Sequence, residues 1–292
     1  MQFNHCLSRI IGLLTLLLAL SGCSAVKLGY ANAPSLTYWW LNDYVEFSDA
    51  QAPKVRDALD RLHQWHRSTE LPLYADLLQQ MESLVNTDIT AEQACSLAAD
   101  IRGRYNTLAT RASPDIAAIA MTLSAEQIMH LQQRYERTDA EYRSKWRDTS
   151  PAERVKERLK QWVERSEMIY GTLDDDQRDW LRQEVMQHVA AAQGSAYMED
   201  RQRRQQATLK TLRAATAPDT SPEQARKLLA RYFEQAQTPT DPQLANQRQQ
   251  QLAQACRTFA SLHNRSTPAQ RDTALQRLRA YQRDMKELAA AR

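Results

Sequence analysis

A helix-start pattern recurs along the chain and restricts what the chain can fold into. In each instance a Ser, Thr or Asp is followed three residues later by Gln. The short side chain can accept hydrogen bonds from the free N–H groups of a helical first turn, and the Gln can bond back to the N–H of the capping residue. The six instances are Ser48/Gln51, Thr90/Gln93, Ser124/Gln127, Asp174/Gln177, Ser221/Gln224 and Thr267/Gln270.

The spacing of these capping boxes and the composition together predict an all-α fold. Successive boxes start 42, 34, 50, 47 and 46 residues apart, which fits antiparallel helix pairs and leaves degenerate repeats as an alternative. Only six glycines occur in 292 residues, while Ala, Leu, Gln, Arg and Glu are abundant. No convincing run of alternating β-branched residues is present. We expect about ten or eleven antiparallel helices joined by short loops.

The first predicted helix begins at Pro34 and carries an aromatic stripe. Leu36, Trp40, Tyr44 and Phe47 recur at helical spacing. Such a stripe is typical of a helix that packs against a protein core. Trp and Tyr also favour the boundary between membrane and water, so an interfacial anchor is the alternative.

Prolines predict further helix boundaries. We expect one helix to end near Thr69 and the next to begin at Pro72. A later helix is expected over 90–109 with Ile101 and Tyr105 facing inward, followed by a separate short piece after Pro114. The segment 216–222 is expected to be a loop, and a domain subdivision could fall there.

The first residues are typical of a secretory signal. Residues 1–9 carry one positive side chain and no acid, and residues 10–20 are apolar apart from Gly12 and Thr15. Eleven residues are too few to span a bilayer as a helix, which needs about 20. We therefore expect residues 1–22 to be removed on export.

The signal ends in a sequence that resembles the bacterial lipobox, Leu20-Ser21-Gly22-Cys23. The resemblance implies cleavage between Gly22 and Cys23 and attachment of lipid to the Cys23 thiol. Ser24 follows the cysteine, which by analogy with enterobacterial lipoproteins implies sorting to the outer membrane. The expected organisation is a signal at 1–22, a lipidated tether at 23–33 and one helical domain at 34–292, on the periplasmic face of that membrane.

Two resemblances to known families follow from short motifs. The segments 23–30 (Cys-Ser-Ala-Val-Lys-Leu-Gly-Tyr), 33–41 (Ala-Pro-Ser-Leu-Thr-Tyr-Trp-Trp-Leu), 262–264 and 267–271 resemble proteobacterial lipoproteins known only as a domain of unknown function. That resemblance implies a helical lipoprotein and supplies no catalytic residues. The segment 123–127 is similar to the Leu-Thr-x-x-Gln motif of periplasmic chaperones of the Spy and CpxP type, which a capping box alone would also produce.

Charge and cysteine content restrict partners and crosslinks. Both signs of charge are interspersed, and the net charge of the whole chain is +3, which argues against a dedicated nucleic-acid binder. Cys6 lies in the signal and Cys23 in the lipobox, so Cys95 and Cys256 remain in an oxidising compartment. A disulfide between them and two separate buried thiols are both open.

Candidate chemistry is sparse. His63 and His66 lie three residues apart on a predicted helix and could reach one metal ion, although a packed, hydrogen-bonded imidazole is the commoner arrangement. No nucleophile elbow, Walker loop or dinucleotide fingerprint occurs, and no cofactor is expected. The expected function is a non-enzymatic interaction or scaffold module with an envelope protein partner. A periplasmic chaperone or stress sensor is the alternative, and a hydrolase with a dispersed site the third.

Overall fold

The computed structural model describes residues 26–144, 150–191, 195–237 and 242–291. These ranges contain helices and no strand, and the all-α prediction is confirmed. Residues 26–31 form a helical segment that leads into the first numbered helix. The numbered helices of the described ranges are α1 (Ala33–Val45), α2 (Ala52–Trp65), α3 (Leu71–Val85), α4 (Ala91–Ala120), α5 (Ala125–Tyr142), α6 (Pro151–Tyr170), α7 (Asp175–Ala191), α8 (Ser195–Ala215), α9 (Pro222–Gln237), α10 (Pro242–Asn264) and α11 (Pro268–Ala290).

A π-helical turn, His66–Glu70, joins α2 to α3 without a break. The helix end predicted near Thr69 is therefore wrong. A π-helical turn bonds each carbonyl one residue further along than an α-helix does, and this irregularity makes room for Pro72, which lacks an N–H. The continuous rod of α2, the π-helical turn and α3 therefore contains Pro72, which the sequence pattern predicts as a helix start.

Helix α4 also continues through a proline that was expected to divide it. Pro114 lies inside the helix and has no N–H to give to the carbonyl four residues earlier, that of Thr110. The Ser113 hydroxyl donates to that carbonyl instead, at 2.9 Å. The adjacent serine thus replaces the bond that the proline cannot make, and the predicted separate piece after Pro114 is part of α4.

The predicted capping boxes are present, with one variation. The boxes that begin at Thr90, Ser124 and Thr267 have both of their hydrogen bonds, and so do the boxes at Asp174 and Ser221. At Ser48 only the glutamine half forms, with the Ser48 N–H donating to Gln51 Oε1 at 3.0 Å.

Two pairs of these glutamines bond to each other. The amides of Gln177 and Gln270 exchange hydrogen bonds of 2.8 and 2.9 Å. Each also donates to a backbone carbonyl two residues before the partner's cap, those of Arg265 and Thr172, both at 2.9 Å. Each Oε1 accepts from its own capping residue, so both buried amides use all their donors and acceptors.

The second pair, Gln51 and Gln127, repeats this arrangement. Their amides exchange bonds of 3.2 and 2.7 Å. Gln51 donates to the Thr122 carbonyl at 2.8 Å and Gln127 to the Glu46 carbonyl at 2.9 Å, again two residues before each partner's cap. One glutamine pair thus joins the N-termini of α2 and α5, and the other joins those of α7 and α11.

The described residues form two halves with the same plan, 26–144 and the described part of 150–291. Each half contains three boxes in order, at 48, 90 and 124 and at 174, 221 and 267, and the first and third boxes form the glutamine pair. In the first half α1 packs on α5 and α2 on α4, while in the second α6 packs on α11 and α7 on α10. The counterpart of the single helix α4 is divided into α9 and α10.

Buried positions correspond between the halves as well. Val55 and Leu181, each seven residues after the first cap, are 2% and 0% exposed. Leu131 and Ala274, each seven residues after the third cap, are also buried. Tyr44 and Tyr170 each precede the first cap by four residues.

Helices of one half pack on helices of the other. The most extensive contact is between α3 and α11. The equivalent contact, with the halves exchanged, is between α5 and α8. In addition, α4 packs on both α9 and α10. One hydrophobic cluster includes Leu209, Leu212 and Ala215 together with Ala225 and Leu229. The core therefore continues across the 216–222 loop.

Candidate functional site

The helical segment 26–31 is attached to the body of the protein at two points. At the first, Lys27 Nζ lies 3.1 Å from Asp284 Oδ1 and also pairs with Glu287, both on α11. Glu287 first, and then Asp284, raise the pKa of Lys27. The Asp284 side chain is almost fully buried. The segment predicted as a tether at 23–33 is thus helical over 26–31 and bound to the last helix.

The second point of attachment is Tyr30, which two histidines hold. The His63 Nε2–H donates to the Tyr30 carbonyl at 3.0 Å, and His66 Nδ1 lies 2.9 Å from the Tyr30 hydroxyl. The Tyr30 ring also lies 4.5 Å from that of His63, between centroids. Burial raises the pKa of Tyr30 to about 12 and lowers the pKa of His66, so Tyr30 is protonated and His66 uncharged near neutral pH.

These contacts determine what His63 and His66, the predicted metal candidates, do in the structure. One nitrogen of each ring bonds to Tyr30. Within the described ranges, no group of three or more His, Cys, Asp or Glu side chains is arranged to hold a metal ion. The histidine pair acts as a clamp on the helical segment at the start of the fold.

A buried carboxylate lies in the π-helical turn beside this clamp. Glu70 is 1% exposed, and its Oε2 lies 3.6 Å from Arg104 Nη1 of α4 without a hydrogen bond to that oxygen. Burial and the Glu70 charge raise the pKa of Tyr74. The ion pair joins α4 to the rod formed by α2 and α3. Neither member was a sequence candidate, because their approach depends on tertiary packing.

An exposed apolar surface lies on the same N-terminal segment. We define the N-terminal apolar face as Leu28, Leu36, Trp39 and Trp40, which are 67%, 59%, 62% and 61% exposed. The predicted aromatic stripe is therefore only partly correct: Tyr44 and Phe47 are half-buried, whereas Leu36 and Trp40 do not pack in the core. Tyr38 is the buried residue of α1.

The sequence could have indicated this face. Leu28, Leu36 and Trp39 follow one another at helical intervals of eight and three residues. The prediction began the helix at Pro34, and so it omitted Leu28. Ile101 and Tyr105 of α4 are likewise 47% and 66% exposed, so their predicted inward orientation is wrong.

Cys95 of α4 and Cys256 of α10 form a disulfide, with Cα atoms 5.3 Å apart. Ile89, Ala94, Cys256 and Ala260 form a buried cluster around it. The bond joins the two halves at the contact between α4 and α10. The predicted cleavage and lipidation positions, Gly22 and Cys23, lie outside the described residues.

A groove of about 210 Å³ lies between α2 and α4. Its charged lining comprises Lys54, Arg61 and Asp115. Arg61 Nη2 pairs with Asp115 Oδ1 at 2.8 Å, so two of these charges neutralise each other. The converging carboxylates and histidines of a dispersed hydrolytic site do not occur in this groove. In the part of the chain that the structure describes, every helix is too short or too polar to cross a bilayer.

Comparison with known proteins identifies a family without assigning an activity. No curated protein and no solved structure matches the chain. A family model described as a family of unknown function, DUF6279, matches residues 43–232. The match begins near the end of α1, includes the described chain from there to α9 and leaves residues 26–42 outside it. The prediction of a domain of unknown function is confirmed, and the chain belongs to the DUF6279 family.

Proposed function

We propose that the protein is a lipid-anchored component of the bacterial cell envelope and acts there as a non-enzymatic interaction module. Lipid on Cys23 would hold it on the periplasmic face of the outer membrane. The sequence Leu20-Ser21-Gly22-Cys23 after an apolar signal supports the anchor. Ser24 after the cysteine supports the choice of membrane.

The attachment of residues 26–31 to the body carries the proposal. Lys27 pairs with α11, and Tyr30 with the rod that contains α2. Only Ser24 and Ala25 separate Cys23 from Val26, and three peptide steps extend over at most about 11 Å. A lipid on Cys23 would therefore hold the helical body directly at the membrane surface, as suits a module that presents its surface to other envelope proteins.

The polar clusters support a structural role for the interior. The histidine clamp, the glutamine pairs and the Glu70–Arg104 pair each connect one helix or turn to another. The chaperone-like motif at 123–127 is used in the same way, since Ser124 and Gln127 form a capping box and Gln127 bonds to Gln51. The long helices then provide the surface for a partner.

Replacement of the lipobox cysteine tests the anchor. We expect wild-type protein to remain with membranes at high salt and to dissociate in detergent. Cys23→Ala should be released after processing or remain an uncleaved precursor. A processed Cys23→Ala protein that still resists high salt would contradict the lipid anchor.

Crosslinking in living cells tests the interaction. The wild-type protein should form crosslinked products with defined envelope proteins. A mature form that is released from the membrane should form fewer of these products. A stoichiometric small-molecule cofactor in the purified protein, or turnover in an activity screen, would contradict the non-enzymatic assignment.

A further inference from the structure

We propose that the N-terminal apolar face lies in the interfacial layer of the membrane that carries the Cys23 lipid. The occupant of this face is a phospholipid surface. This inference rests on the proposed function for the lipid on Cys23. It adds a second membrane contact, made by the fold itself, which would orient the body relative to the bilayer.

The face is continuous along the first helical segment. The Asn32 N–H donates to the Leu28 carbonyl at 3.2 Å, and the Leu36 N–H donates to the Asn32 carbonyl at 3.0 Å. Helical periodicity is therefore kept through Asn32, although the segment changes there from 26–31 to α1. At about 100° per residue, Leu28, Leu36 and Trp39 lie within roughly one quarter of the helix circumference. Trp40 extends the face on one side.

The fold does not require an apolar side chain at the positions of Leu28 and Trp39. In the second half, α6 corresponds to residues 26–45, because each precedes the first box of its half. Arg165 stands nine residues before its cap, as Trp39 does, and Arg165 is also exposed. Arg154 stands twenty residues before its cap, as Leu28 does. A charged side chain is thus compatible with these two helix positions, and the exposed Leu28 and Trp39 side chains need another explanation.

The surroundings of the face suit a phospholipid surface. Residues 26–42 contain no acidic side chain. The Arg56 guanidinium lies over the Tyr38 ring at 3.6 Å and 5.6 Å from the Trp39 ring centroid. A cation at the edge of an aromatic surface can meet lipid phosphates while the Trp rings enter the headgroup region. Cys23 lies within about 11 Å of Val26, so its acyl chains and the face reach the same bilayer.

Fluorescence quenching by brominated lipid tests the proposal on the full-length lipoprotein. The protein is expressed with its signal, purified from membranes and reconstituted in vesicles of phosphatidylethanolamine and phosphatidylglycerol, with or without brominated acyl chains. Bromine quenches only those tryptophans that enter the lipid. We expect strong quenching in the wild type and loss of most of it in Trp39→Phe/Trp40→Phe.

Two further variants make the result specific. Trp180→Phe is the matched control, because Trp180 lies in the second half under the Arg265 guanidinium, 4.4 Å from the ring centroid, and its removal should leave the quenching intact. Trp39→Arg introduces the residue that the second half carries at this position. It should preserve the helical circular dichroism and thermal stability while weakening the quenching.

Equal quenching in the wild type and the double phenylalanine variant would overturn the proposal. Protection of Trp39 and Trp40 from acrylamide in the same vesicles, without quenching by brominated lipid, would indicate that a protein surface covers the face and would also overturn the proposal. Mass spectrometry of Cys23 separates this inference from the proposed function. If Cys23 carries no acyl chain, the anchor is wrong. The unacylated protein still tests the membrane contact of the face. Quenching of Trp39 and Trp40 by brominated vesicles supports that contact, and the absence of quenching overturns it.

Discussion

At the paired capping boxes, glutamine can donate hydrogen bonds from its side chain, which an ionised glutamate cannot. Either residue can bond back to the N–H of the capping residue, and Glu153 does so in the box at Ser150. Only the amide can also donate, and each of the four paired glutamines donates both to its partner amide and to a carbonyl. Two carboxylates facing each other would repel and would leave those carbonyls without donors.

We therefore expect Gln270→Glu to destabilise the protein strongly. It removes two hydrogen-bond donors from a buried pair and adds a charge, which should lower the free energy of unfolding by about 3 kcal/mol or more. Denaturant unfolding would measure this change. Gln224→Glu is the matched control, because Gln224 forms an exposed box with Ser221. Equal stability of the two variants would contradict the role of the amide pair.

His263 should make the stability depend on pH. It is buried, its Nε2–H donates to the Thr87 carbonyl at 2.8 Å, and its Nδ1 lies 2.8 Å from the Tyr170 hydroxyl. Burial lowers the pKa of His263, and of His66, below the ordinary value of 6.5. Between the lowered and the ordinary pKa the unfolded chain binds more protons, so stability falls as the pH decreases below about 6.5.

Thermal unfolding at a series of pH values would test this dependence. His263→Gln should be less stable than the wild type at pH 8 and should lose less of its remaining stability between pH 7 and pH 5. The paired carboxylate of Glu167, whose pKa is lowered mainly by Arg178, titrates below 4.5 and so lies outside this window. An unchanged pH slope in His263→Gln would refute the assignment.

At the residue scale, the sequence predicted local bonds well and burial poorly. A capping box involves four consecutive residues, and its hydrogen bonds need no distant partner. Burial of Tyr38 and exposure of Trp40 depend on the elements that pack beside α1, namely α2 and α5. Helical spacing alone is the same for a stripe that meets a core and a stripe that meets another surface.

At the scale of the helices, two of the wrong predictions concern elements that pass through a proline. The π-helical turn before Pro72 and the Ser113 hydroxyl before Pro114 each accommodate a missing N–H. Neither compensation has a strong sequence signal. By contrast, the starts of α4, α5 and α11 were predicted within one residue, because each follows a complete capping box.

The attachment of segment 26–31 to α11 should depend on Lys27. Lys27→Met would leave the buried Asp284 carboxylate without its cation, and one oxygen of Asp284 already has no hydrogen-bond partner. We expect faster amide hydrogen exchange in residues 26–31, measured by mass spectrometry. Lys286→Met, which removes an exposed lysine from the same helix, should leave the exchange unchanged. Equal exchange in the two variants would contradict the attachment.

At the scale of the whole molecule, the two halves are joined by crossed packing and by a disulfide. The sequence predicted the helices and left repeats open, because boxes at uneven intervals do not reveal which of them meet. The contacts of α3 with α11 and of α5 with α8 supply that information. The pairing of Cys95 with Cys256 was undecidable for the same reason, since it requires α4 and α10 to lie side by side.

We expect reduction of this disulfide to lower the stability of the folded protein markedly. The bond closes a loop of 161 residues, and the chain-entropy model gives a stabilisation of up to about 5 kcal/mol. Denaturant unfolding with and without a reductant would measure the loss. The variant Cys95→Ser/Cys256→Ser should be insensitive to the reductant. Two free thiols in the denatured, unreduced, processed protein would show that the bond is absent.

The ion pairs of Lys27 also place the C-terminal end of α11 beside segment 26–31. Glu287 is three residues from Ala290, about 5 Å along a helix, so α11 ends close to the segment that follows Cys23. Its other end, at Pro268, is about 33 Å away along the helix axis. A fluorescent label attached near Ala290 would therefore report from beside segment 26–31, and one on the Arg265–Ser266 turn from the opposite end of α11. In the membrane-anchored arrangement proposed above, energy transfer from the two labels to a dye in the bilayer would measure the tilt of α11 relative to the membrane.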